Sequence, residues 1–287
     1  MSVTITPLTP AVGAEIGNVD LTALTAEEFA QIEAAWHRYC VLLFRGQKLG
    51  DDDLIAFSRR FGELDPPPNQ ERGRLSPPGY PDVYVVSNVL DEKGEPIGAL
   101  GAGEAVWHTD MSYLDLPPDA SMLYALEIPP SGGNTYFCGM QAVWKALPDS
   151  LRARVRSRRI KHDGTFNSGG NVRQGVTPTD DPHAAPGAWH PAVCAHPVTG
   201  EAALYLGRRR NSSVEGLAPA QSEALLDEVW RFLDSPEFVY AHRWRIGDLV
   251  LWDNRSTMHR RDPFDSAARR IMHRTQIKGT RQPVAFR

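Results

Sequence analysis

The sequence predicts a mainly β protein, a sandwich or barrel of short strands with helices packed outside it. Three observations lead there. Most apolar runs are only four to eight residues long and end in turn residues. Gly and Pro are plentiful, 24 and 23 in 287 residues. Only three segments carry a sustained helical spacing of apolar residues.

Taken in chain order, Thr25-Ala26-Glu27-Glu28 is a capping box, and Phe29, Ile32 and Trp36 follow at helical intervals. Val41-Leu42-Leu43-Phe44 reads as a short strand buried on both faces. Asp51-Asp52-Asp53 places acids at a helix start, with Leu54, Phe57 and Phe61 on one face and Gly62 as the stop. Strands are expected over 83–87, 121–127, 134–137, 202–206, 238–245, 248–253 and 270–277. A third helix is expected over 219–233, with Leu225, Leu226, Val229, Phe232 and Leu233 as its apolar stripe. The arginines of 151–161 read as a solvated helix face. Two stretches, 65–80 and 163–188, have little strand or helix signal, and loops of that length inside a compact domain serve as lids. The whole chain, 1–287, is expected to form one domain.

Net charge is −4, so no global basic field points to nucleic acid. Three cysteines without a CxxC pair do not make a disulfide framework, and a reducing cytoplasm is the expected compartment. The N-terminus has no basic segment leading into an apolar one, and no apolar run approaches the length needed to span a bilayer.

The chemistry concentrates at His108-Thr109-Asp110. Residues i and i+2 of a strand face the same way, so His108 and Asp110 can converge on one ion. His259, beyond the strand signal of 248–253, is the candidate third ligand. Two imidazoles and a carboxylate on one side of a metal form the facial triad of non-haem Fe(II) oxygenases, with positions left open for reactants. Alone, the pattern also fits a zinc-dependent hydrolase, a surface His/Asp pair or a non-catalytic jelly-roll binding protein.

The wider sequence resembles the taurine / 2,4-dichlorophenoxyacetate dioxygenase family. The blocks that carry the resemblance are Phe44-Arg45-Gly46-Gln47, Arg60-Phe61-Gly62-Glu63-Leu64, Trp107-His108-Thr109-Asp110, Pro130-Ser131-Gly132-Gly133-Asn134-Thr135, Glu215-Gly216-Leu217, Trp252-Asp253-Asn254-Arg255 and Arg269-Arg270-Ile271-Met272-His273-Arg274. The resemblance implies a double-stranded β-helix, or jelly roll, with Fe(II) held by His108, Asp110 and His259. It implies 2-oxoglutarate as co-substrate, its distal carboxylate held by Arg270 and Thr135, and O₂ as oxidant. The reaction so implied is hydroxylation of a C–H bond coupled to decarboxylation to succinate and CO₂. A guanidinium suits the co-substrate role, since its fork grips a carboxylate with two bonds where an ammonium offers a point charge.

Substrate choice is written in the departures from the family. Arg274 matches the family's arginine for the substrate anion. Asp65-Pro66-Pro67 stands where taurine-type members have histidines, and Glu104 stands where they have asparagine. A carboxylate is an acceptor only, so these changes argue against taurine and for an anionic or zwitterionic small molecule. The expected partners are that substrate and further copies of the chain, with no nucleic acid and no membrane.

Overall fold

The computed structural model describes residues 2–67, 76–179 and 181–287. Half of the 65–80 loop, residues 68–75, therefore lies outside the described residues.

Two sheets dominate. The larger runs in the order Thr4–Pro7, Ala14–Gly17, Val41–Phe44, Leu249–Asp253, Ala120–Glu127, Ile271–Ile277, Tyr84–Ser87 and Ala99–Leu100, with Leu64–Asp65 also pairing Ile271–Ile277. The smaller runs Val239–His242, Thr135–Gly139, Thr257–Arg261 and Ala105–His108. Within both sheets the pairing is antiparallel except at two pairs, 14–16 with 42–44 and 86–87 with 99–100. The sheets face one another as a jelly roll, and helices flank their outer sides.

Side-chain alternation explains the layers. Val41 and Leu43 pack between the sheets with Val86, Leu123, Phe137, Val250 and Trp252. Leu42 and Phe44, on the opposite face of the same strand, pack with Ile32 and Trp36 of helix Ala26–Tyr39 and with Leu54 and Phe57 of helix Asp51–Arg59. The unbroken apolar run is thus a strand covered on both sides. Behind the smaller sheet, Cys138 and Met258 pack against Met140, Val143 and Trp144 of helix Met140–Ala146 and against Leu225, Leu226 and Val229 of helix Pro219–Trp230.

The arginine run divides differently from its expectation. Helix Asp149–Val155 carries Arg152 and Arg154, but the chain then turns into strand Arg159–Asp163, where Lys161 is buried and donates to the Gly187 carbonyl at 2.8 Å. Strand Gly187–Pro191 pairs with it, so the irregular stretch is shorter than the expected 163–188 loop at both ends. Among the described residues, no helix is long and apolar enough to cross a membrane.

Candidate metal centre

Strands Ala105–His108 and Thr257–Arg261 are neighbours, and His108 lies directly opposite His259. Their ring centroids are 4.1 Å apart. Asp110 follows two residues after His108, and its Oδ1 lies 3.7 Å from His108 Nε2 and 3.9 Å from His259 Nε2. One ligand atom from each of the three residues falls within 4.8 Å of the others, and all three side chains are buried. Donors at right angles around an ion with ~2.1 Å bonds sit about 3 Å apart. Inward shifts of about an ångström or less in each side chain would therefore close the three around a metal.

The electrostatics suit a cation. His108 Nδ1 lies 2.7 Å from the Val106 carbonyl, which fixes that nitrogen as the N–H donor and leaves Nε2 with its lone pair. Burial, His259 and Arg208 push the His108 pKa well below its ordinary value against the pull of Asp110. Burial likewise brings His259 down to about 4, so both rings are neutral near pH 7. Burial alone would raise Asp110, yet Arg274, the two histidines and the Ser121 hydroxyl hold it well below the usual carboxylate range. Ser121 Oγ donates to Asp110 Oδ2 at 2.8 Å, which turns Oδ1 toward the histidines.

The triad opens into a narrow cavity of about 60 Å³ between the sheets. Val86, Leu123 and Trp252 of the larger sheet and Thr135 and Arg261 of the smaller one line it, with Arg270 and Arg274 among them. Arg270 is 2% exposed and has no carboxylate partner among the described residues; its Nε is buried without a hydrogen bond. Burial and neighbouring Arg261 lower it to about 9, which still leaves it charged at neutral pH. A buried, charged and unpaired guanidinium is costly unless an anion arrives.

Arg274 faces the same cavity, but its Nη2 stands 3.1 Å from Asp110 Oδ2, an ion pair without hydrogen-bond alignment. Glu104 is separate from the triad. It is exposed and lines an outer chamber of about 930 Å³, which shares Leu100 and Gly169 with the inner cavity.

Arg261 was not singled out from the sequence, and Arg208 was read only within the Arg208-Arg209-Arg210 run, as positive charge for a substrate-pocket loop or as a solvated loop. Arg261 pairs across strands with Thr135 and donates to the carbonyls of Leu100, Gly101 and Gly103, tying down the rim between inner and outer chambers. Arg208 separates from its neighbours in the Arg208-Arg209-Arg210 run. Arg209 is clamped by Glu223 and Asp227, and Arg210 stacks on Phe166. Arg208 is 7% exposed with no ion pair among the described residues, and the Thr109 hydroxyl donates to the nearby Leu206 carbonyl at 2.9 Å. Its spacing in sequence gave no sign that it differed from Arg209.

The remaining histidines have structural partners. His196 binds Asp253, His190 bonds the carbonyls of Ser112 and Leu114, and His162 packs against Tyr205. His273 points away from the cavity to Asp51, at 2.6 Å.

Comparison with known proteins places this geometry. Residues 4–276 match the family model of the taurine catabolism dioxygenase TauD, TfdA family. The chain is 38% identical to the alpha-ketoglutarate-dependent 2,4-dichlorophenoxyacetate dioxygenase of Cupriavidus pinatubonensis, over 96% of this chain and 97% of that one. It superposes on a taurine dioxygenase from Burkholderia xenovorans with a TM-score of 0.77 at 33% identity, covering 100% of this chain and 97% of that one. It superposes on AAD-2, solved with Mn(II) and N-oxalylglycine, with a TM-score of 0.80 at 28% identity, covering 99% and 100%. A match along nearly the whole chain, on a fold whose two sheets enclose the His-Asp-His cluster, establishes that the chain belongs to the TauD, TfdA family of dioxygenases.

Proposed function

We propose that the chain is an Fe(II)- and 2-oxoglutarate-dependent dioxygenase that hydroxylates a C–H bond of a small organic anion. The observation that carries this reading is Arg270, a buried cation that has no counter-charge among the described residues and lines the cavity that also holds the triad. A zinc hydrolase has no use for it, whereas a dicarboxylate bound to the metal at one end needs a cation at the other.

His108 Nε2, Asp110 Oδ1 and His259 Nε2 would hold the metal, all on one side. When bound, Fe(II) would supply the activation of O₂, which is reduced by electrons from the oxidative decarboxylation of 2-oxoglutarate to succinate and CO₂ and from the substrate C–H bond. The chain's residues bind and orient. Arg270 and the Thr135 hydroxyl grip the distal carboxylate, while Val86, Leu123 and Trp252 keep water from the reacting carbon. Where that carbon bears oxygen, sulfur or nitrogen, the hydroxylated product breaks down with loss of the heteroatom group.

For the primary substrate, Arg274 supplies positive charge at the wall of the inner cavity, Arg208 acts on the triad from nearby, and Glu104 supplies a carboxylate at the outer chamber. That arrangement favours an aryloxyalkanoate, a sulfonate or an amino-acid-like zwitterion with its anion inward. The entire chain serves as one catalytic domain acting in the cytoplasm, and the loop carrying Ser168 and Gly169 acts as a lid over the cavity.

The test is 2-oxoglutarate-dependent succinate release with Fe(II) over a panel of aryloxyacetates, alkylsulfonates, taurine and ammonium-bearing acids. Arg270→Ala should raise the apparent KM for 2-oxoglutarate far more than that for the primary substrate, and Arg270→Lys should recover only part of the affinity. Unchanged 2-oxoglutarate dependence in both variants would overturn the assignment. Efficient turnover of taurine would refute the part given to Glu104.

A further inference from the structure

We infer that Trp244 is a positioning residue for the co-substrate, orienting the Thr135 hydroxyl so that its proton points at the distal carboxylate. The inference rests on the reading of Thr135 and Arg270 given above.

Thr135 lies on strand Thr135–Gly139, directly opposite His242 on one side and Arg261 on the other. Trp244, two residues beyond His242, donates its indole N–H to Thr135 Oγ1 at 3.0 Å. An indole nitrogen can only donate, so in this bond the threonine oxygen accepts. The hydroxyl proton must then find its acceptor elsewhere. Among the described residues Thr135 Oγ1 has no protein acceptor, and the residue lines the cavity shared with Arg270. A carboxylate arriving there would complete the pair, accepting from the hydroxyl as well as from the guanidinium.

The indole is itself held. His242 is fully buried and meets the Trp244 ring edge-on, centroids 4.4 Å apart at 88°. His242 Nδ1 lies 2.8 Å from the Tyr240 hydroxyl, and its Nε2 stands 3.3 Å from Asp248 Oδ2, to which Arg45 donates at 2.5 Å. The chain of contacts thus runs from a surface arginine through a buried carboxylate and imidazole to the indole and the threonine. Nothing in Trp244 touches the reacting atoms. Its effect passes through the direction of one O–H bond.

The test uses the full chain loaded with Mn(II), so that binding is read without turnover and without knowledge of the primary substrate. Calorimetric titration with 2-oxoglutarate should show Trp244→Phe binding about threefold to tenfold more weakly, the worth of one hydrogen bond. Thr135→Val should weaken binding at least as much. In the Thr135→Val background, the added Trp244→Phe should change nothing, because there is no hydroxyl left to orient. If Trp244→Phe misfolds, the isostere benzothienylalanine at 244 keeps the ring shape and removes only the N–H donor. Equal losses from Trp244→Phe with and without Thr135 would overturn the inference and assign the residue to packing, as would unchanged affinity in the single variant. A Thr135→Val protein with undiminished affinity would overturn the role given to Thr135 as well, and so separates the two failures.

Discussion

Among individual residues, the groups that the sequence made legible are those whose chemistry is carried by short-range pattern. His108 and Asp110 share a face because a strand repeats every two residues, and that could be read directly. What the pattern could not give is the second oxygen of Asp110, taken by Ser121 and Arg274, or the difference between buried Arg208 and its clamped neighbour Arg209. Those depend on contacts across more than ten residues of sequence, where charge type alone says nothing of burial. Asp253 belongs to the same class: Arg255 N donates back to Asp253 Oδ1 at 2.8 Å within one turn, whereas its buried partner His196 lies 57 residues away in sequence. Burial would raise Asp253, yet Arg255 and His196 hold its carboxyl well below the unfolded value of 3.8. A depressed folded pKa means the unfolded chain binds the proton more readily, so the stability from this carboxylate is present above about pH 4 and drains away as pH falls further. Urea denaturation should therefore show Asp253→Asn destabilised at pH 7, with the gap to the parent protein narrowing toward pH 3. A gap independent of pH would refute this.

Secondary elements were legible where their ends are chemically marked. Thr25 Oγ1 accepts from Glu28 N at 3.2 Å, and Glu28 Oε2 accepts from Thr25 N at 2.9 Å, the reciprocal bonds that Thr25-Ala26-Glu27-Glu28 announces. Because helix Ala26–Tyr39 covers the outer face of the larger sheet, Thr25→Ala should cost about 1 kcal/mol in chemical denaturation while leaving 2-oxoglutarate affinity unchanged. A loss of co-substrate binding in that variant would contradict the separation of outer layer from cavity. Unmarked elements were missed. The hairpin of Thr4–Pro7 and Ala14–Gly17 pairs antiparallel at a sheet edge, where its first strand is exposed and so carries no apolar alternation. Gly132 shows how a legible block gains a physical reason only in three dimensions. Its φ is +73°, and a Cβ there would lie 2.7 Å from the Pro263 carbonyl, so the turn feeding Thr135 into its strand packs against the segment leading to Arg270.

At the scale of the whole molecule, the candidate site is a product of the two sheets together. His108, His259 and Thr135 come from the smaller sheet, Arg274 lies in the larger one, and Arg270 immediately precedes that strand. Sequence pattern found strands in both sheets but could not say which faced which, and the family resemblance supplied that pairing. A consequence follows for stability. A metal binds chiefly groups presented by one sheet, whereas a dicarboxylate held by both the metal and Arg270 links the two. Any ligand that binds the folded chain alone stabilises it by RT ln(1 + [L]/Kd), about 2.7 kcal/mol at a hundredfold excess over Kd. That corresponds to a rise of several degrees in the unfolding midpoint for a protein of this size. Mn(II) should therefore raise the midpoint by itself, and 2-oxoglutarate should raise it further only when Mn(II) is present. In Arg270→Ala the increment from Mn(II) should persist while the increment from 2-oxoglutarate largely vanishes. In Asp110→Ala both should be lost, because without its anionic ligand the metal no longer anchors the near end of the dicarboxylate. Differential scanning measurements on the three proteins decide the matter. A 2-oxoglutarate increment that survives in Arg270→Ala, or appears without metal, would mean that the co-substrate does not bridge the sheets as its two proposed anchors require.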